Sequence, residues 1–294
     1  MGKMVIDEAF LSELEALETV LKNNIAGMFG GNHSSKSFGS SCDFADYREY
    51  IEGDDVNKID WKIYARSDKL YQKLYLDERQ MHTKIYIDAS RSVRHSSLEK
   101  AEQVIKIAAA FAYLSVCEMD KVSVYAIHGN KLDEVISGIV GKEAFLSSVN
   151  KLNEIEFDDG VAISEAIVNS KTGMGDGYSI IISDFLTDED FERAIDKLVQ
   201  MKRDVLCVQV LSRDELNPQI RGKMHLFDSE DAQNFFRRKI DKDRVNAYKA
   251  ALGFVVERIK GCCESRGGHY LLAPSYEKLA DVFFGNMVDL GVLK

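Results

Sequence analysis

The residues best suited to chemistry follow a short apolar run that ends in an acid. Ile85, Tyr86 and Ile87 lead into Asp88, and two serines follow at alternate positions. The apolar run predicts a buried strand, and the polar residues predict the loop at its carboxyl end. Ligands bind at that edge of an open α/β sheet, and a carboxylate with two hydroxyls offers the hard oxygen ligands that Mg²⁺ or Mn²⁺ prefers. The alternative is that Asp88 and Ser90 only cap the next helix.

A second apolar run, residues 178–183, is followed by Asp184. If the two strands are neighbours where the strand order reverses, the carboxylates of Asp88 and Asp184 converge on one crevice. With the hydroxyls of Ser90 and Ser92 they then form a candidate metal site. Convergence of this kind favours metal binding over helix capping.

Catalytic alternatives fit these residues less well. A haloacid-dehalogenase-type phosphatase needs a second acid two residues after its nucleophile, where this chain has Ser90. A response-regulator receiver needs an acidic pair after its first strand, which this order of elements does not supply. The histidines are scattered, and no Ser/His/Asp or Cys/His set stands out.

Strand-like and helix-like segments alternate from residue 84 onward. A largely buried helix is predicted over 98–119, and Gly129-Asn130 predicts a hairpin turn. The alternation predicts an α/β fold, a doubly wound and mostly parallel sheet with helices on both faces. An amphipathic helix over 5–24 comes first. We therefore expect an N-terminal helix and small module over 1–80, followed by the α/β domain over 81–294.

Composition limits the classes of function. A net charge of -10 argues against general affinity for nucleic acid, which requires a clustered basic surface. Five cysteines without metal-type spacing are typical of reduced cytosolic thiols. Acids interrupt the first ten residues where a signal peptide would need an apolar core, and no window approaches the ~20 apolar residues of a membrane span. The sequence thus predicts a cytoplasmic protein without a membrane span.

The segment from residue 38 to 80 concentrates acids, arginines and aromatic residues, and it holds the only tryptophan, Trp61. Such a mixture predicts a small module held together by paired charges around an aromatic plug. We expect Arg48, Asp60 and Arg66 to form buried or half-buried ion pairs. Their use as a ligand site is the alternative.

Two sets of residues resemble known families. The loop Asp88-x-Ser90-x-Ser92, with Ile182-Ser183-Asp184 later, resembles the metal-ion-dependent adhesion site of the von Willebrand factor A-like fold. The module resembles the signature of the domain-of-unknown-function 58 family, whose members carry it just ahead of an A-type domain. The resemblance covers roughly residues 38–294. The matching signature residues are Arg48, Tyr50, Gly53, Asp54, Asp55, Asp60, Trp61 and Arg66.

This resemblance implies a von Willebrand factor A-like domain and a non-enzymatic, metal-dependent protein-interaction function in a bacterial-type cytosolic protein. Members of the family are commonly paired with AAA+ ATPases of the MoxR class, so the implied partner is such an ATPase or its client. In A-type domains the serines of the first loop bind Mg²⁺ or Mn²⁺ directly, and the later aspartate binds directly or through water. A carboxylate of the partner then completes the coordination.

The middle loop departs from the A-type pattern. Val161 stands where such sites usually present a threonine, and valine offers no oxygen. We expect Asp158 or Asp159 to compensate through water, or the site to bind metal more weakly. Asn57, where the family often has arginine, is a smaller departure. Two further readings stay open: an A-like interaction domain without metal, and more remotely a hydrolase that uses a metal-bound water.

Overall fold

The computed structural model describes residues 5–24, 34–38, 44–78, 80–158, 160, 162–170, 175–187, 190–220, 222–227 and 235–289. The chain divides into two compact units. The smaller unit, called the module below, covers residues 30–80, and the larger unit, called the A-like unit, contains the first helix and everything from residue 81 onward.

In the module, a central strand pairs antiparallel with a strand on each side. The short helix begins after Asp60, whose carboxylate accepts the backbone N–H groups of Lys62 and Ile63. It ends at Asp68, which has a left-handed backbone with φ of 56°. The described elements are β1 (Ser34–Phe38), β2 (Phe44–Glu49), a 3₁₀ turn (Val56–Lys58), α2 (Trp61–Ser67) and the central β3 (Tyr71–Glu78), with the amino-terminal α1 (Glu8–Asn24) preceding them in the chain.

The A-like unit alternates strands and helices, as the sequence predicts. Its elements after α1 are β4 (His82–Asp88), α3 (Arg91–Ser96), α4 (Leu98–Cys117), β5 (Lys121–His128), β6 (Lys131–Ile139), α5 (Lys142–Ser148), a 3₁₀ turn (Val149–Glu154), α6 (Ile163–Asn169), β7 (Gly177–Ser183), α7 (Glu192–Gln200), β8 (Arg203–Leu211), α8 (Arg213–Leu216), β9 (Gly222–Phe227), β10 (Phe235–Ile240), α9 (Lys242–Glu264), β11 (His269–Pro274) and α10 (Leu279–Asp289).

Six of the described strands form one sheet in the order β11-β8-β7-β4-β5-β6. Neighbours pair in parallel except β6, which returns antiparallel to β5 after a turn at Gly129, where φ is 57°. The hairpin predicted at Gly129-Asn130 is therefore confirmed. The pair β9 and β10 forms a separate antiparallel hairpin, which sequence reasoning missed.

Side chains of β4 point alternately to the two faces of the sheet, and each face carries its own core. Ile85 and Ile87 pack in a core with α1, α4, α5 and α10. Tyr86 belongs to the opposite core, with α6, α7 and α9. Helices on both faces confirm the predicted α/β class and its doubly wound, mostly parallel sheet.

Helix α4 lies in the first of these cores, and most of its residues from Lys100 to Val116 are buried on all sides. This confirms the predicted buried helix, which extends to Cys117 rather than 119. Within the described residues, no helix is both long and apolar enough to cross a membrane.

The first helix, α1, contributes Phe10, Leu14 and Leu17 to the core of the A-like unit, Ile6 just before the helix joins them, and each of these side chains is at most 4% exposed. The expected boundary at residue 80 placed this helix with the module. The compact units instead group it with residues 81–294. Amphipathic periodicity predicts that a helix buries one face, but it does not say against which element.

The strand order reverses between β4 and β7. From β4 the chain moves outward to β5 and β6, returns to β7 on the other side of β4, and then moves outward to β8 and β11. The register pairs Ile87 with Ile182, so Asp88 and Ser183 end adjacent strands at the same edge. Loops that leave a sheet in opposite directions at this point leave a crevice between them.

Candidate metal centre

The first loop of the site follows β4. Asp88 is 3% exposed, and its Oδ1 accepts the backbone N–H of Ser90 at 2.8 Å. Ser90 occupies the N-cap position of α3, yet its side chain makes no capping hydrogen bond. Its Oγ lies 2.9 Å from Oγ of Ser92 instead. The two serine hydroxyls therefore face each other in the crevice. The alternative that Ser90 only caps the next helix does not hold, because its side chain makes no capping hydrogen bond.

The second loop follows β7 and is held in an unusual backbone conformation. Phe185 has a φ of 53°, which is uncommon for a bulky residue. Two local hydrogen bonds stabilise this turn: the N–H of Phe185 donates to Ser183 Oγ, and the N–H of Leu186 donates to Asp184 Oδ1. Since Oδ1 is engaged by the backbone, the turn fixes the other carboxylate oxygen, Oδ2, toward the crevice.

The two loops meet through their side chains. Ser92 Oγ donates to Asp184 Oδ2 at 3.1 Å, and Ser183 Oγ donates to Asp88 Oδ2. Asp184 is 3% exposed and Ser90 2% exposed. The structure thus brings together Asp88, Ser90, Ser92 and Asp184, the four residues that the sequence placed in one site.

Burial and charge act together on Asp88. Its desolvation, followed by the nearby negative charge of Asp184, raises the pKa of Asp88 to about 6, although hydrogen bonds from Ser183 and Ser90 oppose the rise. Two buried carboxylates at one edge repel each other, so this arrangement disfavours the ionised form of Asp88. A cation between them would relieve that repulsion.

Lys100 supplies a cation that sequence reasoning missed. This side chain is fully buried, and its ammonium donates to Asp184 Oδ2 at 2.7 Å and to Glu215 Oε1 at 2.8 Å. Glu215 is held in a capping box, where its Oε2 accepts the N–H of Ser212 at 2.7 Å. The signal in the sequence was a lysine in the first turn of a largely apolar helix, a few residues after the candidate loop.

A further polar residue, Gln209, supports the second loop from β8. Its Nε2 donates to the backbone oxygen of Asp184 at 2.7 Å, and its Oε1 accepts the hydroxyl of Tyr270. The register pairs Gln209 with Ser183. A glutamine inside the apolar run 205–211 was the signal for this support.

The middle loop is described only in part. Arg91 Nε donates to the backbone oxygen of Asp158 at 2.8 Å, so this segment lies beside the first loop. The Asp158 residue is exposed, and within the described residues no hydrogen bond joins its carboxylate to the four site residues. Asp159 and Val161 lie outside the described residues. Compensation by Asp158 or Asp159 stays a prediction.

The oxygen positions fit a small divalent ion. Mg²⁺ holds six ligands octahedrally at about 2.0–2.1 Å, which places neighbouring ligand oxygens about 2.9 Å apart. The gap between the Oγ atoms of Ser90 and Ser92 is 2.9 Å, and that from Ser92 Oγ to Asp184 Oδ2 is 3.1 Å. No cluster of three or more His, Cys, Asp or Glu residues suited to a metal occurs in the described part of the chain. Hydroxyls with carboxylates suit Mg²⁺ or Mn²⁺ rather than zinc or copper.

The signature residues of the module build its turn. Asp54 Oδ1 accepts from Arg48 at 2.7 Å, and Asp54 Oδ2 accepts the N–H of Ile51 at 3.1 Å. Gly53 has a φ of 108°, which side chains rarely adopt. Asp55 begins the 3₁₀ turn by accepting the N–H of Asn57 at 3.0 Å. The backbone N–H of Tyr50 donates to Leu70 O at 2.9 Å.

The expected charge pairs differ from those observed. Asp60 is buried, but its partners are Lys73 at 3.1 Å and the hydroxyl of Tyr47 at 3.2 Å. Burial opposes its charged form, yet hydrogen bonds from Lys73 and from backbone N–H groups outweigh that effect and lower the pKa of Asp60. The side chain of Arg48 is 44% exposed in its pair with Asp54.

Two expectations for the module are wrong. Arg66 is exposed, and no ion pair involves it within the described residues. Trp61, expected to be an aromatic plug, is 60% exposed. Its ring packs edge to face against that of Tyr64, with the ring centroids 6.2 Å apart. Charge and aromatic content indicated a compact module but not which side chains face inward, because α2 presents these two residues to solvent.

We expect Asp60→Ala to destabilise the module, whereas Arg66→Ala leaves it close to wild type. Alanine at 60 removes the cap of α2 and the carboxylate that accepts hydrogen bonds from Lys73 and Tyr47. Hydrogen exchange at the amides of Trp61–Ser67 measures the difference. Equal loss of protection in both variants would mean that Arg66 has a structural partner after all.

Residues 46–252 match the family model described as "Protein of unknown function DUF58". This match spans well over half of the chain, and the chain belongs to that family. Similar curated proteins include the uncharacterized protein Rv1480 of Mycobacterium tuberculosis (strain H37Rv) and Mb1516 of Mycobacterium bovis. Each is 24% identical over 268 residues, covering 87% of this chain and 83% of the relative.

Similar solved structures include an aerotolerance-related membrane protein from Bacteroides fragilis, with 14% identity, a TM-score of 0.45, and coverage of 72% of this chain and 98% of that chain. Another is the SpRpn10 VWA domain, with 9% identity, a TM-score of 0.38, and coverage of 71% and 95%. The strand order, the antiparallel edge strand and the helices on both faces make the fold of this chain von Willebrand factor A-like, as the sequence predicts.

Proposed function

We propose that this protein is a non-enzymatic adaptor that binds an acidic residue of a partner protein through Mg²⁺ or Mn²⁺ held at the carboxyl edge of its sheet. The observation that carries the proposal is the pairing of Ser92 Oγ with Asp184 Oδ2 across the switch point, with Ser90 beside it. Ser90, Ser92 and Asp184 would hold the ion directly. Asp88, whose two oxygens already accept from Ser90 and Ser183, would add charge and orient the loop.

The bound ion would supply an open coordination position for a carboxylate from outside. Three protein oxygens cannot fill the six positions that Mg²⁺ prefers, so water or an external oxygen takes the others. Catalysis would also need a positioned general acid or base. In the described part of the chain, the ammonium of Lys100 is paired with Asp184 and Glu215, and Glu215 is held in turn by Ser212. That arrangement favours ligand holding over turnover.

The family relationship suggests the partner. Because members resembling this chain are commonly paired with MoxR-type AAA+ ATPases, we propose that the partner is such an ATPase or its client. A cytoplasmic location agrees with this pairing and is supported by the cysteines within the described residues, all of which are free thiols.

Binding of the MoxR-type ATPase encoded in the same genome tests the proposal. Purified full-length protein is immobilised, and association is measured by biolayer interferometry in Mg²⁺, in EDTA, and after Mg²⁺ is restored. We expect binding only with Mg²⁺, and at least about tenfold weaker binding for Ser92→Ala, since that change removes a ligand hydroxyl. Ser147→Ala, an exposed serine on α5, is the matched control and should bind as wild type. Binding that survives both EDTA and Ser92→Ala would refute metal-dependent recognition.

A metal-free interaction domain is the second candidate. It is favoured by one observation, the ammonium of Lys100 that already lies on Asp184 Oδ2. In that case the ATPase would bind equally well with Mg²⁺ and with EDTA.

A further inference from the structure

The position of Lys100 bears directly on how the site takes up a metal ion. Its ammonium shares Asp184 Oδ2 with the hydroxyl of Ser92. An ion held by Ser92 and Asp184 would therefore lie within a few ångströms of a second positive charge. Two cations on one carboxylate oxygen repel strongly in a buried setting.

Glu215 gives the ammonium an alternative position. It accepts from Lys100 through Oε1 at 2.8 Å, while its Oε2 and its backbone N–H are fixed by the capping box with Ser212. The side chain of Glu215 is thus held in place independently of Asp184. A lysine that leaves Asp184 still has a carboxylate partner that is only 15% exposed, which avoids the cost of an unpaired buried charge.

We propose that Lys100 is an internal counter-cation that competes with the divalent ion for Asp184 and so sets the metal affinity of the site, with Glu215 retaining the ammonium when the ion binds. This inference rests on the proposed function, because it concerns the same site. Without metal, Lys100 neutralises Asp184 and stabilises the folded protein. With metal, Lys100 releases Asp184 and keeps its ion pair with Glu215.

Titration calorimetry and thermal shift with MgCl₂ and MnCl₂ on the full-length protein test the inference. Lys100→Met keeps the length and apolar stem of the side chain and removes its charge. We expect its metal-free form to melt below wild type, its metal Kd to fall at least about tenfold, and its metal-induced rise in Tm to exceed that of wild type. Lys100→Gln, which keeps a neutral donor, should show the same direction of change if the methionine variant does not fold.

Two lysines of the same unit serve as controls. Lys142→Met breaks the 2.7 Å ion pair between Lys142 and Glu18. The ammonium of Lys142 lies over the ring of Tyr113, which is about 20 Å from Lys100 along α4. Lys106→Met removes a charge about 9 Å from Lys100 along the same helix. Within the described residues, no hydrogen bond or ion pair joins Lys106 to the site. Both should leave the metal Kd within about twofold of wild type, because neither ammonium contacts Asp184.

The outcomes separate the inference from the proposed function. A lower Tm for Lys100→Met with an unchanged Kd would overturn the inference and leave metal-dependent binding intact. If Lys100→Met binds metal and the wild type does not, the result would support competition between Lys100 and the ion for Asp184. It would also overturn the proposal that the native protein binds its partner through a metal ion. No binding by any folded variant would overturn both, and equal tightening in Lys106→Met would overturn a specific role for Lys100.

Discussion

Asp88→Asn is expected to raise the melting temperature of the metal-free protein by a few degrees while it abolishes the stabilisation by Mg²⁺. The native carboxylate is buried beside Asp184, and this environment raises the pKa of Asp88 to about 6. A shift of that size corresponds to about 2–3 kcal/mol of unfavourable energy at neutral pH. Asparagine removes the charge, keeps an oxygen for the N–H of Ser90, and no longer attracts a cation.

The expected rise in Tm of Asp88→Asn should increase with pH. Because the folded-state pKa of Asp88 lies above the unfolded value of 3.8, the folded protein holds this proton more tightly. The unfavourable contribution of the ionised Asp88 to the stability of the folded protein is therefore absent below about pH 4 and develops as the pH rises through about 6. The difference in Tm between Asp88→Asn and wild type, measured in EDTA, should therefore be largest at pH 7 and vanish near pH 4.

Asp120→Asn is the matched control for this experiment. Asp120 is also buried, at 6% exposure, but it accepts the N–H of Met81 at the opposite edge of the sheet, before β5. We expect this variant to keep the full response to Mg²⁺. If Asp88→Asn melts below wild type in EDTA and still responds to Mg²⁺, then Asp88 serves folding alone.

Much of this site was predictable because it depends on strand ends. Apolar runs that stop at Asp88 and at Asp184 mark the carboxyl edge, and the rule for switch points then predicts that they meet. Pairing of β4 with β7 confirms that the two strands are neighbours. The role of Lys100 was not predictable, since apolar periodicity shows that a helix is buried but not which acid a lysine within it reaches.

The module was predicted less well for a related reason. Charges and aromatic residues at Arg48, Asp60, Trp61 and Arg66 suggested interior pairs, but such pairs depend on which side chains a three-stranded sheet turns inward. The capping role of Asp60 and the positive φ of Gly53 were not predicted either, although residue type and turn chemistry explain both.

Leu14→Ala is expected to destabilise the A-like unit by about 3 kcal/mol, within the range for truncating a fully buried leucine. Leu14 is 0% exposed and lies in the core that also contains Ile107 of α4 and Phe283 of α10. Removal of the leucine side chain leaves a cavity in that core, which could close only if α1 shifted away from its other core contacts. Urea unfolding followed by far-UV circular dichroism measures the free energy of unfolding, and hydrogen exchange locates the loss of protection.

Val20→Ala controls for the change in helix composition, because Val20 lies on the same helix and is 41% exposed. Its effect should stay within about 0.5 kcal/mol, as for most surface substitutions. Faster exchange should appear in α1 and α4 of Leu14→Ala, because α1 packs in the same core as α4. If Leu14→Ala instead lowers protection only within α1, then the helix docks weakly, and the A-like unit would fold from residue 81 onward, as the sequence alone suggested.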